Sequence, residues 1–105
     1  MAIQFNNPVA ERFDKVAASW DANPVRVALA RGVAEAICRH VPMSPALDAM
    51  DFGAGTGLLT LALSPRLRRI TALDTSREML KVLEEKRQAA AISNLDTLLC
   101  DPTVT

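Results

Sequence analysis

The chain has 105 residues and carries 12 Lys and Arg against 12 Asp and Glu, a formal net charge of zero with its one His neutral. That balance excludes nucleic-acid or anionic-membrane binding through bulk charge, although a local basic patch can still form on folding. Half the residues are apolar and 23% are charged, which excludes a disordered chain and makes one compact domain the ceiling.

The start of the chain, MAIQFNNPVAERF, lacks a charged segment followed by an apolar run, so it does not read as a signal peptide. No stretch approaches the roughly 18 uninterrupted apolar residues of a membrane span. The expectation is a cytoplasmic protein with no membrane partner. Within residues 8 to 21, Phe13, Val16, Ala17 and Trp20 fall at helical spacing and predict a short amphipathic helix. Asn23 followed by Pro24 is a helix-start signal, an N-cap side chain before a proline at the first helical position. Val25, Leu29, Val33, Ala36, Ile37 and His40 then recur at steps near 3.6, so a second helix is predicted over about 24 to 40. Pro42 and Pro45 stop it. His40, at its end, reads as a helix-terminal cation or surface residue.

From Leu47 the texture changes. LDAMDF, residues 47 to 52, is short, largely apolar and ends in glycines, as expected of a strand buried on both faces. GLLTLALSP follows as a short helix broken at Pro65, and RRITALD, residues 68 to 74, is the next strand. Thr75 and Glu78 stand at capping-box spacing ahead of Met79, Leu80, Val82 and Leu83, which predicts a helix to about Ala91. Asn94 ends that unit, and LDTLLCD, residues 95 to 101, is the last strand. Cys38 and Cys100 lie 62 residues apart with no CxxC pair, so neither a disulfide framework nor a metal site is expected, and each reads as a small buried hydrophobe.

Two helices followed by strand, helix, strand, helix, strand predict an α/β fold: a βαβαβ half of a doubly wound parallel sheet, three-stranded, with right-handed crossovers. Residues 1 to 46 form a helical lid segment on this reading, and 47 to 105 a half domain truncated after its third strand. The first strand would then be an open edge, so the expectation is that the chain self-associates through that edge, is only marginally stable, or is a fragment of a longer enzyme.

Asp51-Phe52-Gly53-Ala54-Gly55-Thr56-Gly57 lies between a predicted strand and a predicted helix, the context in which a glycine loop approaches a ligand. A dinucleotide fingerprint would need Gly at position 58, which is Leu58. Asp51 opposes a pyrophosphate and suits a cationic amino acid group. Asp74, 23 residues on at the next strand end, can accept hydrogen bonds from ribose hydroxyls. Asp101, at the third strand end, can accept one from an exocyclic amine.

These residues resemble the cofactor half of the Rossmann-like, class I S-adenosylmethionine-dependent methyltransferases. The resemblance implies that Asp51, Gly53, Ala54, Gly55 and Gly57 hold the methionine part of S-adenosyl-L-methionine, that Asp74 holds its ribose, and that Asp101 approaches the adenine amine. It also implies that Thr75, Ser76, Met79 and Cys100 flank the adenosine. Phe13 and Trp20 lie in a stretch similar to the leading helix that folds over the cofactor in small-molecule members, where their faces could shield a sulfonium. No catalytic base is assigned. A small-molecule acceptor is expected, and the zero net charge speaks against a nucleic-acid one. Arg66, Arg68 and Arg69 read as a polar connection entering a strand.

Overall fold

The computed structural model describes residues 8–100, so Asp101 lies outside the described residues. Helix α1 (Pro8–Val16) leads into a 3-10 segment, Ala17–Ala22, then α2 (Pro24–His40), β1 (Asp48–Phe52), α3 (Leu58–Leu63), a 3-10 turn Ser64–Arg66, β2 (Arg69–Asp74), α4 (Arg77–Ala89) and β3 (Leu95–Leu99). The three strands form one parallel sheet in the order β1-β2-β3. This is the predicted βαβαβ arrangement. Asn23 starts α2 as predicted, its side chain accepting from the Val25 amide at 2.9 Å with Pro24 in the first turn.

Strand register explains the core. Ala49, Ile70 and Leu95 lie side by side, as do Ala72 and Thr97 one step further along. On this face Ile70, Ala72 and Leu95 pack with Ala34 of α2, Leu63 of α3 and Leu80 and Leu83 of α4. The other face carries Met50, Phe52 and Leu98, which are 72%, 64% and 52% exposed. The expectation of a first strand buried on both faces is therefore corrected: α2, α3 and α4 all lie on one side of the sheet, so β1 alternates between half-buried and exposed residues. Among the described residues no helix is long and apolar enough to cross a membrane.

Three further readings change. The first helix does not run unbroken to residue 21, because it tightens at Ala17 into 3-10 geometry. The capping box of Thr75 and Glu78 gives way to Ser76, whose hydroxyl accepts from the Met79 amide at 3.2 Å. Cys38 and Cys100 are free and half-buried rather than buried. Toward the end of α4, the Arg87 guanidinium bonds Glu84 and holds its carboxyl below the usual carboxylate range.

Candidate cofactor site

The carboxyl ends of β1 and β2 open into a cleft of about 240 Å³ lined by Phe13, Trp20, Phe52, Gly53, Ala54, Gly55, Asp74, Thr75 and Met79. Eight of the residues singled out from the sequence thus meet in one place. Phe52 is the lining residue that sequence reasoning missed, although it stands inside the quoted loop. Asp51 and Gly57 lie outside the lining. Asp51 accepts a hydrogen bond from Thr60 Oγ1 at 2.7 Å, which turns that oxygen toward α3. Gly57 packs against α4, where a Cβ would lie 2.1 Å from Leu83 Cδ1.

The loop holds its shape through its own amides. Those of Gly53 and Ala54 both donate to the Leu73 carbonyl, at 2.8 and 2.9 Å, and that of Gly57 to the Ala54 carbonyl at 3.0 Å. The Gly55 amide donates to Asp74 Oδ2 at 2.7 Å. A phosphate cradle presents free amides to its ligand, and these four are already taken, in agreement with the sequence argument against a pyrophosphate. Gly53, at φ +76°, has nothing within 4 Å of where a Cβ would stand, so its backbone is open to an approaching ligand.

Asp74 organises the second side of the cleft. Its Oδ1 accepts from the Ser76 amide at 2.8 Å while Oδ2 holds Gly55. Each carboxylate oxygen has more than one acceptor direction, so capacity remains for ligand hydroxyls. The two backbone bonds fix the carboxylate's orientation beforehand.

Two acids that were not singled out attach the amino-terminal helices to this frame. Asp14 Oδ1 accepts from Ser76 Oγ at 2.5 Å and from the Glu78 amide at 3.1 Å. Asp21 accepts from Thr56 Oγ1 at 2.5 Å and from Lys86 Nζ at 2.7 Å. Both hydroxyls are buried, and a buried hydroxyl left unbonded is costly. The sequence held a signal for this pair: Phe13-Asp14 and Trp20-Asp21 repeat an aromatic-acid couple at seven-residue spacing. The two rings meet edge to face with centroids 5.8 Å apart, and the Arg26 guanidinium lies 3.6 Å from the Trp20 ring centre. Such contacts set the pitch of the aromatic wall.

The fold and this cleft define a Rossmann-like α/β protein with a nucleoside-sized site at its strand ends. A family profile described as a methyltransferase domain matches residues 49–103, more than half the chain, and the chain belongs to the class I S-adenosylmethionine-dependent methyltransferases. Malonyl-[acyl-carrier protein] O-methyltransferase of Serratia marcescens is 38% identical over 82 residues, 78% of this chain and 31% of that protein. Ribosomal RNA small subunit methyltransferase A of Acidothermus cellulolyticus is 35% identical over 86 residues, 70% of this chain and 30% of that protein. The chain therefore spans under a third of the length of these relatives. Among solved structures, phosphoethanolamine N-methyltransferase 1 of Haemonchus contortus, in complex with phosphoethanolamine and S-adenosylhomocysteine, has the same fold. Its TM-score is 0.70 at 21% identity, covering 90% of this chain and 21% of that one.

These relatives correct one expectation. Zero net charge spoke against a nucleic-acid acceptor, yet a relative matched over 70% of this chain is named for ribosomal RNA. The physical reason is that net charge sums the whole chain, whereas phosphates are met by local patches.

Proposed function

We propose that residues 47 to 105 form the S-adenosyl-L-methionine-binding half of a methyltransferase, with residues 1 to 46 as the helical lid over its cofactor. The observation that carries this reading is the convergence of the Gly53-Ala54-Gly55 loop, Asp74 and the aromatic pair Phe13 and Trp20 on one cleft. A cleft of about 240 Å³ is below the roughly 300 to 1,000 Å³ that encloses a drug-sized ligand. It would take part of the cofactor, with the Gly53-Ala54-Gly55 loop holding the methionyl group and Asp74 the ribose.

When bound, the cofactor supplies a methyl group on a cationic sulfur, so the chemistry is its own and the protein contributes position and electrostatics. Asp74, already oriented by two amides, accepts from the ribose hydroxyls. Gly53 lets the backbone come close. Phe13 and Trp20 exclude water and offer ring faces that attract a sulfonium. Asp101 serves the adenine amine. Asp74 is the titratable side chain of the lining and is engaged by two amides, so proton removal from an acceptor falls to groups outside this cleft. Acceptor choice also belongs elsewhere: two relatives that share this part are named for acceptors as different as malonyl-[acyl-carrier protein] and ribosomal RNA.

Calorimetric titration with S-adenosylmethionine and S-adenosylhomocysteine, with NAD as control, tests the reading. Both ligands should bind and NAD should not, and Asp74→Ala should weaken binding at least about tenfold, the loss of one charge-assisted contact, with its circular dichroism retained. A folded chain that binds neither ligand, or prefers NAD, refutes it.

A further inference from the structure

Away from the aromatic wall, the carboxyl-terminal half of α2 and the end of α3 bound a groove of about 470 Å³ lined by Arg31, Ala34, Glu35, Cys38, Arg39, Ala62 and Arg66. Its charge comes from three arginines and one glutamate. All four are exposed, and among the described residues none of the three arginines has a carboxylate at ion-pair distance. Their neighbours in sequence behave otherwise. Arg68 is paired with Asp48, and Arg69 with Asp96 at 2.6 Å, so of the run at 66 to 69 only Arg66 is left unneutralised, and it lines the groove. Zero net charge thus conceals a local concentration of charge: among the described residues, Arg31, Arg39 and Arg66 line one groove with no carboxylate partner, whereas Asp14, Asp21, Asp51 and Asp74 are each hydrogen-bonded around the glycine loop.

The spacing says what such a groove can take. Arg31 and Arg39 are two helical turns apart, about 12 Å of rise, which is more than one phosphate group spans and leaves room for successive phosphates of one extended strand. Guanidinium groups bind phosphate oxygens bidentately. Small residues, Ala34, Cys38 and Ala62, form the floor and leave an extended strand room to approach. We propose that this groove seats the phosphate backbone of a nucleic-acid strand, in a sequence-independent contact separate from the cofactor cleft.

Fluorescence anisotropy with a labelled 12-nucleotide single-stranded RNA, read from low to physiological salt, tests this. Binding should weaken with salt, and the combined variant Arg31→Gln, Arg39→Gln, Arg66→Gln should flatten the slope of log K against log salt by about 2, near 0.7 for each phosphate that is no longer neutralised. At low salt that variant should bind at least about tenfold more weakly, equally for RNAs of different sequence. Lys81→Gln, a substitution outside the groove, should leave binding unchanged. S-adenosylhomocysteine titration of the same variants is a separate readout, so failure here is distinct from failure of the cofactor reading. The proposal is overturned if the wild type does not bind RNA at low salt, if the triple variant keeps the wild-type slope, or if vesicles containing phosphatidylserine bind and RNA does not.

Discussion

Leu83 of α4 stands where a side chain at position 57 would begin, and that contact separates two glycines that look equivalent in the sequence. Both have positive φ, +76° at Gly53 and +83° at Gly57. At Gly53 a Cβ would meet nothing, while at Gly57 it would lie 2.1 Å from Leu83 Cδ1 and 3.0 Å from its Cγ. Gly53→Ala therefore carries only the left-handed backbone penalty, about 1 to 2 kcal/mol. Gly57→Ala adds overpacking of a buried leucine, another 1 to 3 kcal/mol or so. Urea midpoints should place Gly57→Ala clearly below Gly53→Ala in stability. The ligand titration should reverse the order of interest, because Gly53 lines the cleft and Gly57 does not. The glycine spacing was legible, but the division of labour between packing and ligand approach was not, since it depends on which helix returns to the loop.

Periodicity carries most of what can be read about the elements, and their ends carry what cannot. The predicted helix to Ala91 stops at Ala89 by a backbone device that no side chain announces. The Ala91 amide donates to the Gln88 carbonyl at 3.1 Å and the Ile92 amide to the Arg87 carbonyl at 3.0 Å, with Ala91 at φ +54°. That is the Schellman arrangement, which usually puts glycine at this left-handed position. Ala91→Gly relieves about 1 to 2 kcal/mol of steric cost and returns about 0.4 to 1 kcal/mol as unfolded-chain entropy. A net gain of about 0.5 to 1 kcal/mol is expected in the urea midpoint. At the other end of the chain, α1 and its 3-10 extension are held by Asp14 and Asp21. Asp14→Ala would leave the buried Ser76 hydroxyl without its acceptor, a loss of about 1 to 2 kcal/mol, or five- to thirtyfold in the docking of α1. Iodide quenching of Trp20 should increase and S-adenosylhomocysteine affinity should fall, with global unfolding little changed. Equal losses in both would mean that α1 is part of the core rather than a lid.

At the scale of the molecule, the order of helices and strands fixed the topology in advance, because alternating strands and helices admit few arrangements once crossovers are right-handed. Which face of the sheet the helices cover was not readable, since LDAMDF is as apolar as a strand buried on both sides. The structure puts the main core cluster on one face, with Ile70 1% exposed, and leaves Met50 and Phe52 of β1 open, although Leu73 of β2 on that second face is buried. Parallel sheets generally keep both faces covered, so the two sides of this one should respond differently to substitution. Ile70→Val removes one buried methyl group and should cost about 0.5 to 1.5 kcal/mol. Met50→Ser removes a larger apolar group, yet from a position 72% exposed, and should stay within about 0.5 kcal/mol. Urea denaturation of both variants decides the matter: comparable losses would mean that the face of Met50 is covered in solution, whereas a loss confined to Ile70→Val assigns the folding energy of this sheet to its helical side.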